Sequence, residues 1–124
     1  MKILLSVLLS FFACSSLAVD ISCSKQELEL SKKNLRALNV AKNKINAQEA
    51  SYTVTFPEVL KGYELSQSLL IIGSKERWSL LTQLEMAREE SGYSVFVSKN
   101  PDFEQPVSVS VIYGRCLSQT IQLP

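Results

Sequence analysis

Val107-Ser108-Val109-Ser110-Val111-Ile112-Tyr113 is the stretch whose reading decides the fold class. Val107, Val109, Val111 and Tyr113 alternate with Ser108 and Ser110, the period-two pattern of a strand with one face buried and one face wet. Gly114 then permits a bend, and Cys116 to Leu123 continues as a final strand. On the N-terminal side, Asn100-Pro101-Asp102 opens a polar loop that closes at Pro106. Before it, Tyr93 to Ser98 is a β-branched and aromatic strand that follows the turn Glu90-Ser91-Gly92.

The same period recurs upstream. Tyr52, Val54 and Phe56 alternate with Thr53 and Thr55, and Pro57 ends the run. Leu60-Lys61-Gly62-Tyr63 reads as a turn. Leu65 to Ile72 reads as a strand whose Leu69-Leu70-Ile71-Ile72 end points to burial on both faces, and Gly73-Ser74-Lys75-Glu76 as a hairpin connection. Residues 77–90 read two ways. Their composition is helical, with Ser74 as a cap. Their pattern alternates, with Trp78, Leu80, Thr82, Leu84 and Met86 on one side and Arg77, Ser79, Gln83, Glu85 and Glu89 on the other. A helix would turn Trp78 and Met86 away from Leu80 and Leu84, so the strand is preferred and a second helix over 75–90 is the alternative. The strand reading predicts a buried Trp78 on the face of Leu80 and Leu84.

Only the start of the remaining sequence is helical in both composition and capping. Ser24-Lys25-Gln26-Glu27 is a capping box, in which the Ser24 hydroxyl accepts from the Glu27 amide and the Glu27 side chain accepts from the Ser24 amide. Leu28, Ser31, Leu35, Leu38 and Ile45 then fall on one side at helical spacing, so the helix is expected to run on and end somewhere between 40 and 48. The predicted fold is α+β: an N-terminal amphipathic helix packed on an antiparallel meander sheet of about six strands.

The first residues place the protein. Lys2, an apolar run from Ile3 to Cys14 broken by Ser6 and Ser10, and Ser16-Leu17-Ala18 make a secretory signal peptide over 1–18, with cleavage before Val19. The run is short of the roughly 20 apolar residues that span a bilayer. Residues 19–124 then form a single globular domain, periplasmic or secreted, and keep Cys23 and Cys116, an even pair that reads as a disulfide. A second processing route is cleavage before Cys14 with lipidation of that residue, the one route to membrane contact.

Composition excludes several kinds of chemistry. Thirteen basic and twelve acidic side chains leave no strong field for nucleic acid. The absence of histidine removes the commonest proton shuttle and metal ligand. No nucleophile motif, phosphate loop, zinc cluster or calcium loop is present, so no catalytic, cofactor or metal residues are assigned. A remote hydrolase reading rests on Glu85 and Glu89 sharing one polar strand face. The expectation is an exported non-enzymatic binding or accessory protein — an inhibitor, adaptor or assembly factor — of a bacterial envelope or medium. Its candidate contacts with a protein or anionic envelope partner are Lys25, Lys32, Lys33 and Arg36 beside the apolar helix stripe, with Tyr63 and Tyr93 at turns.

Overall fold

The structure, a computed structural model, describes residues 23–44, 49–74 and 76–124. The predicted leader over 1–18, with Cys14, and Ile45 lie outside the described residues. One helix and nine strands follow among those described: α1 (Lys25–Ser31), β1 (Asn39–Lys44), β2 (Ala50–Phe56), β3 (Val59–Leu60), β4 (Tyr63–Gly73), β5 (Trp78–Gln83), β6 (Ala87–Glu89), β7 (Gly92–Lys99), β8 (Val107–Tyr113) and β9 (Leu117–Gln122). The predicted combination of an N-terminal helix with antiparallel strands is present. The expected six-strand meander is not.

The strands form two sheets. One has the order β1-β2-β7-β6; the other has the order β3-β4-β8-β9, with β5 also paired to β4. All pairings are antiparallel. The chain changes sheet after β2, after β5 and after β7, so β2 pairs with β7 and β4 with β8. Alternation along β2 and β8 is as read, and both sheets use it to fill one core. Tyr52, Val54, Phe56, Val95 and Val97 come from the first sheet; Val107, Val109, Val111, Tyr113, Leu117 and the trailing Leu123 come from the second. Two tyrosines tie the sheets by their hydroxyls: Tyr113 donates to the Pro57 carbonyl at 2.6 Å and Tyr52 to the Pro124 carbonyl at 2.9 Å. Burial raises the Tyr113 hydroxyl to about 12, so it stays a donor throughout the usual pH range.

The helix corrects the sequence reading. It stops at Ser31, so Leu35 and Leu38 of the expected stripe do not lie on it. Two bonds of the tighter i→i−3 kind close its last turn, from Lys32 to Glu29 and from Lys33 to Leu30. The buried side chain of Gln119 on β9 then satisfies the backbone that follows. Leu35 donates its amide to Gln119 Oε1 at 3.0 Å, and Gln119 Nε2 donates to the Lys33 carbonyl at 2.9 Å. A distant amide side chain thus replaces the helical partners, and residues 34–38 take no regular secondary structure, with Leu35 and Leu38 against the core. Ser31 adds a second tie: its hydroxyl donates to the Cys116 carbonyl and accepts from the Ser118 amide.

The capping box is present as read, and its carboxylate does more than cap. Glu27 accepts from the Ser24 amide and hydroxyl, and also from the Arg115 and Cys116 amides at 2.8 and 2.9 Å. These bonds, the backbone ones of Cys116 and Arg115 foremost, hold its pKa down at about 2. The Cys23–Cys116 disulfide lies beside this latch, with a Cα–Cα distance of 5.3 Å across 93 residues of sequence. Gly114 makes the approach possible: at φ +60 a Cβ there would sit 2.7 Å from Glu27 Oε2 and 2.9 Å from the Tyr63 ring.

Candidate binding surface

The residues proposed from sequence for partner contact come from several elements. Lys25 opens α1, Lys32 is its C-cap, and Lys33 and Arg36 lie beyond it, Arg36 at φ +53. All are exposed, but a helix that ends at Ser31 cannot array them as a stripe. Tyr63 and Tyr93 are half-buried and pack against the core. The Tyr63 hydroxyl donates to Gln26 Oε1 at 3.2 Å. The Tyr93 hydroxyl accepts from Arg88 at 2.9 Å, and the Arg88 guanidinium lies 5.5 Å from the ring centroid. The carboxylates of the hydrolase reading do not share a strand face. Glu85 follows the end of β5, while Glu89 closes β6 and accepts from the Ser94 hydroxyl at 2.7 Å.

The segment over 77–90 is strand, as preferred, but in two pieces, β5 and β6, that belong to different sheets. Trp78 is not buried: it is 59% exposed. A bulge explains the difference. Leu80 pairs with Ile72, but Trp78, not Ser79, pairs with Gly73, so one extra residue interrupts the alternation. Gly73 permits it, since a Cβ there would sit 2.7 Å from the Trp78 Cα. Trp78 therefore leaves the face of Leu80 and lines the outer face with Leu81 and Ile71.

This outer face of the second sheet carries a concavity. Leu81, Ile71, Ser108 and Gln122 are successive partners across β5, β4, β8 and β9. Gln83, Leu69, Ser110 and Thr120 form the next such row. Trp78, Leu81, Ile71 and Pro106 make an apolar wall, and Ser108, Thr120 and Gln122 a polar floor, around a groove of about 640 Å³. Among the described residues no charged side chain lines it. Such a site can shelter an apolar surface and offer hydroxyl and amide hydrogen bonds, but it holds no group poised for proton transfer. Among the described residues no cluster of acids, cysteines or histidines could hold a metal ion, and no helix is long and apolar enough to cross a membrane.

Sequence reasoning missed this groove because it assigned Trp78 to the core. The available signal was the position of Gly73, a residue that marks bulges as well as turns. No family model matches the chain, and no curated protein or solved structure shows significant similarity to it.

Proposed function

We propose that this chain is an exported, non-enzymatic binding or accessory domain of the envelope or medium, and that it contacts its partner through the uncharged groove beside Trp78. The observation that carries the reading is an aromatic ring 59% exposed on a sheet face, next to half-exposed Leu81 and a concavity of about 640 Å³. Exposed apolar residues gathered around a concavity mark contact surfaces, and tryptophan is enriched where binding energy concentrates. The leader over 1–18 supports export, and the Cys23–Cys116 bond fits an oxidising compartment.

The test is capture from the native envelope or medium, with recovered material identified by mass spectrometry. Trp78→Ala should recover much less of the partner than the parent does, because exposed substitutions leave the fold intact. Lys32→Gln with Arg36→Gln should recover it equally. The reverse pattern would move the contact from the groove to the basic residues.

A further inference from the structure

An antiparallel edge strand usually buries one face and wets the other. β5 does neither. Leu80 and Leu81 are adjacent, so they point to opposite faces, and they are 45% and 48% exposed. None of the six residues of β5 is buried, and none is charged. The remaining edges are managed. β1 carries exposed Lys42; β6 has three residues, two of them Arg88 and Glu89; β3 has two residues. The free side of β9 is covered by Ser31 and by the segment that Gln119 holds. Charge, shortness and cover are the usual protections of a sheet edge, and β5 has only the bulge at its start.

The exposure of both leucines distinguishes two kinds of occupant. A ligand in the groove covers the Leu81 face alone. A strand laid along the edge covers both faces at once and satisfies the outward main-chain groups. We propose that β5 pairs antiparallel with β5 of a second copy, about a two-fold axis near Leu81, joining the second sheets of two copies into one.

Charge favours this occupant and this direction. The strand is preceded by Lys75-Glu76-Arg77, net basic, and followed by Glu85. Arg77 and Glu85 are both exposed. Antiparallel self-pairing sets the basic start of one strand beside the acidic end of the other; parallel pairing would stack like with like. With the axis at Leu81, the two Leu81 side chains meet, Leu80 faces the uncharged Thr82 of the other copy, and Arg77 faces its Glu85. Such a contact is the same patch on both copies, so it closes with two. It uses the sheet edge and leaves the groove on the sheet face open, so it does not rest on the groove reading.

Sedimentation velocity of the processed chain, from micromolar to sub-millimolar concentration, tests the pairing. The parent should form a dimer. Leu81→Lys sets two ammonium groups near the axis and should raise the dissociation constant at least about tenfold, with an unchanged circular dichroism spectrum. Arg77→Glu and Glu85→Lys should each weaken the dimer, and together restore it. A parent that stays monomeric, a Leu81→Lys chain that dimerises as tightly, or a double charge variant no tighter than the singles overturns the proposal. A monomer that still captures its partner through Trp78 removes the pairing and leaves the groove reading standing.

Discussion

Glu27 organises the N-terminal end of the domain through a single carboxylate. Three backbone amides and one hydroxyl donate to it, from its own cap and from the β8–β9 turn. The linkage follows from the direction of its shift. In the unfolded chain the group protonates near the ordinary value of 4.5; in the folded chain it stays ionised down to about 2. Its contribution to stability is therefore complete above 4.5 and is lost as pH falls from there towards 2. Other carboxylates also titrate in that window, so the clean observable is a difference. The gap in denaturation midpoint between parent and Glu27→Gln should be largest at neutral pH and should narrow on acidification. Parallel pH profiles for the two chains would contradict the latch.

At the scale of elements, β5 departs most from its own pattern. Its alternation predicted a buried tryptophan, and the bulge opposite Gly73 turns that ring outward. Trp78 is the single tryptophan of the chain, so its emission is unambiguous. At dilutions where the chain is monomeric, emission should already lie near the solvent-exposed wavelength and move little on unfolding. A blue-shifted native spectrum that moves strongly to the red would place Trp78 inside and remove the groove wall. The helix shows the converse case. Its first turn followed the capping box, whereas its end was set by Gln119, more than eighty residues away in sequence.

The whole molecule is joined by distant partners. β2 pairs with β7, β4 with β8, and the disulfide spans 93 residues. A cross-link over so long a loop restricts the unfolded chain strongly, so Cys116→Ser should cost about 2–4 kcal/mol of stability. Chemical denaturation under non-reducing conditions measures this, and peptide mapping should find Cys23 and Cys116 linked in the parent. An unchanged midpoint would mean that the bond does not form. Glu27, Ser31 and Gln119 still hold α1 and residues 33–38 in that variant, so the fold should survive the loss.

Local order in the chain was legible without the tertiary structure. Period two in Val107–Tyr113 and in Tyr52–Phe56 marked strands and their inward residues, because adjacent side chains must leave a strand on opposite faces. Ser24 and Glu27 marked the start of the helix, because the capping box needs only residues three apart. Cys23 and Cys116, the even pair that remains beyond the predicted leader, marked the disulfide. The tertiary structure alone decided which sheet each strand joined, since alternation states a face and not a neighbour. It also decided where the helix stopped, since Gln119 supplies the competing hydrogen bonds. The groove depended on it too, since one extra residue opposite Gly73 inverted the side of Trp78 through a pairing with β4 that no local pattern contains.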